Sequence, residues 1–287
     1  MSDNDYFSDS EEEEVNFEKE NIRSKIKARL KSNLSPKNDS LIAPIHEDIV
    51  AKYNSVNVIV GKQSMGKTVT ALEEIIKISI LNTHHLLIYV TKDGEENDKS
   101  WLSLKPLLQM PTVVVSEKDA EKCIDELLAA KSLYYKIRRE RTKNKIAQDQ
   151  LDDLFNVLFV EDFDREYLHS IVLFDDISNS KLFSSEESFF SQLLRRCRHT
   201  NMSYFLLVQG WKGLKPHIKN EISTLYLLPG FNKQQLRYIY SQAASNLDFE
   251  DFFDAFQQLN EMKHEHPDEH PMIVIQCSSG GDTYIRS

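Results

Sequence analysis

Gly61, Gly66, Lys67 and Thr68 occupy the fixed positions of G-x-x-x-x-G-K-[ST] in the stretch GKQSMGKT, a spacing suited to holding phosphate. Glycine at both ends lets the backbone turn tightly and approach an anion with no Cβ in the way. The amides carried by Lys62, Gln63, Ser64 and Met65, with the N-terminus of a following helix, are expected to face the anion. Lys67 is placed to reach the β- and γ-phosphates, and the Thr68 hydroxyl to ligate Mg²⁺. The expected cofactors are ATP and Mg²⁺.

A second group of residues fits the same chemistry. Ile171-Val172-Leu173-Phe174 is an apolar run that ends in Asp175-Asp176, the Walker B pattern. An aspartate at the carboxyl end of a strand lies in the crevice where open α/β sheets bind ligands. Asp175 is therefore expected to hold the metal and Asp176 to polarise the attacking water. Gln209 ends another apolar run, Tyr204–Val208, and is a candidate for sensing the γ-phosphate or orienting that water.

These residues need strands to carry them. Val56–Val60, Leu86–Val90, Thr112–Val115, His169–Phe174, Tyr204–Val208, Ile222–Leu228 and Met272–Gln276 read as strands, with Thr283–Arg286 closing the sheet. Helices are predicted over Thr68–Leu81, Glu117–Lys145 (broken at most once), Glu186–Arg198, Lys233–Ala244 and Phe249–Met262; Leu151–Val160 is mixed in character. Ser116 or Asp119 is the expected cap of the second of these helices, and Ser184 or Ser185 of the third. Strands alternating with helices predict an α/β fold: a three-layer α-β-α P-loop NTPase with a mainly parallel central sheet.

The 287 residues carry a net charge of −10, but unevenly. Met1–Glu20 is acidic and Ile22–Lys37 basic, so residues 1–45 read as a disordered interaction arm and 46–287 as the ATPase domain. Folded structure is expected to begin near Ile42 or Ile49. No apolar run reaches the ~20 residues that span a bilayer, which predicts a soluble, non-secreted protein with no membrane span. Cys123, Cys197 and Cys277 form no C-x-x-C pair and suit a reducing compartment. The run Lys131 to Lys145 holds many basic residues, Arg138, Arg139, Arg141, Lys143 and Lys145 among them, beside Tyr134 and Tyr135. It reads as a solvated helix face or as a strip for a nucleic-acid backbone. His264, His266 and His270 fall among prolines and acids, which marks an exposed polar connector without metal ligands.

The order of four motifs resembles the poxvirus-type genome-packaging ATPases of the FtsK/HerA superfamily, found in nucleocytoplasmic large DNA viruses and virophages. They are Gly61–Thr68, Asp175-Asp176, Arg198-His199 and, about ten residues on, Gln209. The resemblance spans Ser55 to Ile285 and leaves the arm outside it. It implies an ATP-hydrolysing translocase that packages viral double-stranded DNA into preformed capsids. Its partners would be DNA, its own copies in a hexameric or pentameric ring, and a capsid or packaging-vertex protein. Host cytoplasm, the viral factory and the virion are the implied locations. Arg198, ahead of Arg195 and Arg196, is the implied catalytic arginine donated to a neighbour's site. Two alternatives stand beside this: another P-loop ATPase, such as a DNA-transfer coupling protein or helicase-like enzyme, and a nucleotide-dependent assembly scaffold.

Overall fold

The computed structural model describes residues 51, 53–80, 84–163, 165–177, 180–243, 248–277 and 282–286. The arm over 1–45 and the expected start of folded structure lie outside them. Eight strands form one sheet: β1 (Val56–Val60), β2 (Leu86–Thr91), β3 (Thr112–Ser116), β4 (Ser170–Phe174), β5 (Met202–Val208), β6 (Thr224–Leu227), β7 (Met272–Gln276) and β8 (Asp282–Arg286). Their order is β3-β2-β4-β5-β1-β6-β7-β8. The first six in that order pair in parallel, and β7 and β8 add antiparallel strands at one edge.

Helices cover both faces. Ile59, Leu87, Tyr89, Leu173 and Phe205 point to the face covered by α1 (Lys67–Ile80) and α2 (Lys99–Leu104), where Trp101 is fully buried. Val58, Ile88, Val172 and Leu206, one residue out of phase, point to the other face. There they meet α3 (Glu117–Glu140), α4 (Gln148–Leu158) and α5 (Phe189–Arg195). The short α6 (Cys197–Thr200) and α7 (Pro216–Lys219) come next in the chain, followed by α8 (Lys233–Ala243) and α9 (Phe249–Glu265), whose apolar residues complete that face. Burial on both sides explains why the strands read as continuous apolar runs. Among the described residues, no helix is long and apolar enough to cross a membrane.

The structure differs from the sequence expectation at several helices: α2 and α7 are not expected from the sequence, α9 runs on to Glu265, and three others differ as follows. The helix expected to reach Lys145 stops at Glu140, because Arg141 turns left-handed (φ 51°) and its N–H returns to the last carbonyls. Its start agrees: the Ser116 hydroxyl accepts from the Asp119 amide at 3.2 Å. The mixed stretch after it is the helix α4, which buries Leu151, Leu154, Phe155 and Leu158 at helical spacing. The helix expected over Glu186–Arg198 begins only at Phe189, after Ser188, and breaks at Arg196 before α6. Ser184 instead closes a 3-10 turn over Lys181–Phe183.

Candidate functional site

Because β1, β4 and β5 run parallel, the loops after them open at the same edge of the sheet. The phosphate loop follows β1, Asp175-Asp176 follows β4, and Gln209 follows β5. The chain thus gathers at one edge residues that the sequence scatters over 61–209. Hydrogen bonds carry the ladder just past the strand ends: Gly61 N–H donates to Val208 O (3.1 Å), and Asp175 N–H to Val90 O (3.0 Å).

Both glycines of the loop are sterically required. A Cβ on Gly61 would lie 2.8 Å from Leu228 Cδ1. Gly66 has φ +88°, and a Cβ there would lie 2.2 Å from Nδ1 of His270. Ser64 adopts a left-handed φ of 62° with a side chain present, a conformation that costs of order 1–3 kcal/mol and clusters at ligand sites. α1 starts directly after this turn, with the Thr70 amide on Gly66 O at 2.8 Å. Lys62, Gln63 and Ser64 are exposed, while Met65, Gly66, Lys67 and Thr68 are half-buried. The result is a curled backbone at a helix N-terminus, which favours an anion by its amides and its dipole.

Lys67 folds back over the loop, donating to Lys62 O at 3.0 Å. Burial lowers its pKa, and the carboxylates of Asp176 and Asp175 oppose that shift. For Asp175 burial raises the pKa, with Asp98 and Asp176 adding to it and the Tyr89 hydroxyl, donating at 3.2 Å, opposing. Tyr89 is itself held by stacking on Trp101 at 4.0 Å between ring centroids. Asp176 has a left-handed φ of 45°, and the Gln209 amide donates to its Oδ2 at 2.5 Å. A lysine, two acids and a glutamine amide therefore share one electrostatic cluster.

The donor set suits Mg²⁺. Asp175 Oδ1 and the Thr68 hydroxyl are hard oxygen ligands, and neither accepts a hydrogen bond from a side chain or amide among the described residues. With phosphate and water oxygens they would complete the octahedron that Mg²⁺ prefers. A cavity of about 180 Å³ opens beside Lys62 and Gln209, walled by Trp211, Phe231 and Tyr238. Only the tip of the phosphate loop, Lys62–Ser64, is exposed to solvent at this edge.

Arg198 is not part of this cluster. It is exposed on α6, which precedes β5, whereas Gln209 follows it. A seven-residue strand puts roughly 20 Å between the two ends. Arg195 pairs with Glu186 (3.0 Å) and Glu221 (3.5 Å). Two contributors escaped the sequence reading. Tyr89 reads there as one more apolar strand residue, and its partner Asp175 lies far along the chain. His270 stands in the connector expected to be merely exposed, yet its ring covers Gly66. His264 and His266, at the end of α9, are exposed as expected.

Glycine loop, helix N-terminus and paired acids on a parallel α/β sheet define a P-loop NTPase fold. No protein-family model matches the chain, and no curated protein matches it in sequence. Solved structures similar to it include the genome packaging NTPase B204 of Sulfolobus turreted icosahedral virus 2 with AMPPCP. That likeness has 12% identity, 81% of this chain and 97% of that one covered, and a TM-score of 0.47. The DNA-packaging ATPase B204 of Sulfolobus turreted icosahedral virus is another (11%, 82% and 97%, 0.47). A third is the pCW3 conjugation coupling protein TcpA with ATPgS (15%, 87% and 68%, 0.49). With TM-scores below 0.5, none of these assigns a role to a residue of this chain.

Proposed function

We propose that the chain is an ATPase that couples hydrolysis to the movement of double-stranded DNA, packaging a viral genome into a preformed capsid. The observation that carries the reading is the meeting of Lys67, Asp175, Asp176 and Gln209 at one sheet edge, with Gln209 bonded to Asp176. Loop amides and Lys67 bind the β- and γ-phosphates. Thr68 and Asp175 would hold Mg²⁺, which when bound would neutralise charge on the phosphate oxygens. Asp176 accepts a proton from water as its oxygen attacks the γ-phosphorus and the bond to the ADP oxygen breaks. Gln209 fixes the Asp176 carboxylate and, once nucleotide is bound, orients that water.

The exposed loop tip at Lys62–Ser64 and the distant Arg198 support a site completed by a second copy, with Arg198 donated in trans across a ring of five or six subunits. Such an arginine is worth roughly 10³–10⁵ in turnover. A packaging motor would act in the host cytoplasm at a capsid vertex, with the arm over 1–45 available to dock there. The names of the similar viral structures, genome packaging and DNA packaging, point the same way.

The test is ATP turnover with and without long duplex DNA, in wild type, Lys67→Ala, Arg198→Ala and a mixture of the two variants. Stimulation by DNA, loss in each variant and partial recovery in the mixture is the expected result. Turnover indifferent to DNA, with no recovery, would refute the motor and leave an ATP-dependent scaffold.

A further inference from the structure

At the opposite end of the sheet from the phosphate loop, α3 and the α5–α6 segment enclose a groove of about 500 Å³. Lys131, Tyr135, Lys136, Arg139, Arg196 and His199 line it, and no carboxylate does. That is unusual for a chain with net charge −10. Some cations near the groove have acid partners: Arg195 with Glu186 and Glu221, Lys143 with Asp162 at 2.6 Å. Among the described residues, Lys136, Arg139 and Arg196 have none.

The groove is built rather than incidental. Lys131 is 3% exposed and donates to Thr200 O and Asn201 O, both at 3.2 Å. Two carbonyls thus hold its amine at the groove floor. The Tyr135 hydroxyl ties the walls together, accepting from Leu168 N–H (2.6 Å) and from the Asn201 amide (3.3 Å). Burial with no acid nearby pushes the Lys131 pKa down to about 7, a cost that a bound anion would relieve.

We propose that this groove binds the sugar-phosphate backbone of nucleic acid. Lys131 to Arg139 span about 12 Å along one helix, a row of charge that matches a repeating polyanion better than a single phosphate. Exposed Arg138 and Arg141 extend it beyond the cavity. The inference rests on the reading of the chain as a DNA motor and supplies the contact surface that reading lacks.

The experiment measures fluorescence anisotropy of a labelled duplex against salt, using the full chain. It compares wild type with Lys136→Glu/Arg139→Glu and with a control, Lys118→Glu/Lys122→Glu, on the same helix. All four residues are exposed, so folding is retained, and both variants change net charge equally. The groove variant is expected to lose at least about 10-fold in affinity and about 2 from the slope of log affinity against log salt. DNA-independent ATP turnover stays unchanged, and the control binds nearly as wild type. Equal loss in both variants, or none in the groove variant while wild type binds, would overturn the groove and leave the motor standing. A wild type that binds no duplex would overturn both. Poly-glutamate binding that needs Lys136 and Arg139, with no duplex binding, would assign the groove to an acidic peptide instead.

Discussion

Gly66→Ala tests how the phosphate loop is held. Two costs can be worked out separately. At φ +88° an alanine costs about 1–2 kcal/mol against glycine. The added Cβ would also sit 2.2 Å from His270 Nδ1, so the ring must retreat by about 1 Å to reach ordinary contact. In His270→Ala the second cost vanishes and the first remains. Urea unfolding of wild type, both single variants and the double variant closes a cycle. Gly66→Ala should cost roughly 2–4 kcal/mol in wild type and about 1–2 kcal/mol without His270, a coupling of order 1–3 kcal/mol. Binding of a fluorescent ATP analogue should follow the same order, weakest in Gly66→Ala alone. Equal costs in both backgrounds, within about 0.5 kcal/mol, would refute the claim that His270 buttresses the loop.

Tyr89→Phe removes the hydroxyl that orients Asp175, so half-maximal turnover should need about 10-fold more Mg²⁺. An unchanged Mg²⁺ titration contradicts that role. Acid should destabilise the fold through two histidines at the far end of the sheet, His85 buried and His169 half-buried. Burial lowers the pKa of His85 to about 3 and of His169 to about 4. Unfolded, both take up protons near pH 6.5, so the unfolded state binds more protons below that pH and stability falls as pH drops from 6.5 towards 4. The loss should reach several kcal/mol, read as a falling urea midpoint; a midpoint constant from pH 7 to 4.5 contradicts it. Lys131, lowered to about 7, works in the alkaline range. Above pH 7 it is neutral when folded and still charged when unfolded, so stability should rise from pH 7 towards 10, and Lys131→Met should flatten that rise.

Much of the site was legible because its parts are local in sequence. Strand, glycine loop and helix adjoin, and each strand that carries a site residue is a largely apolar run leading directly to it. What escaped is contact between segments far apart in the chain. Nothing near His270 announces that its ring covers Gly66, and Tyr89 finds Asp175 only once β2 and β4 pair. Lys131 was legible and passed over. Ala120, Ile124, Leu127, Lys131, Tyr134 and Ile137 form one buried stripe at helical spacing, with the lysine in the middle of it. Charge alone assigns that lysine to the surface, whereas periodicity assigns it to the interior. The end of α3 escaped for a different reason: Arg141 is an uncommon residue for a left-handed cap, which usually falls to glycine.

The most direct test separates nucleotide binding from hydrolysis at the cluster of Lys67, Asp176 and Gln209. Equilibrium binding of ATP and single-turnover hydrolysis with Mg²⁺ are measured in wild type, Lys67→Ala, Asp176→Asn and Gln209→Ala. Lys67→Ala should lose ATP binding. Asp176→Asn and Gln209→Ala should bind ATP within a few-fold of wild type and hydrolyse it at least about 100-fold more slowly. Wild-type hydrolysis in Asp176→Asn, with ATP still bound, would contradict the role given to the paired acids.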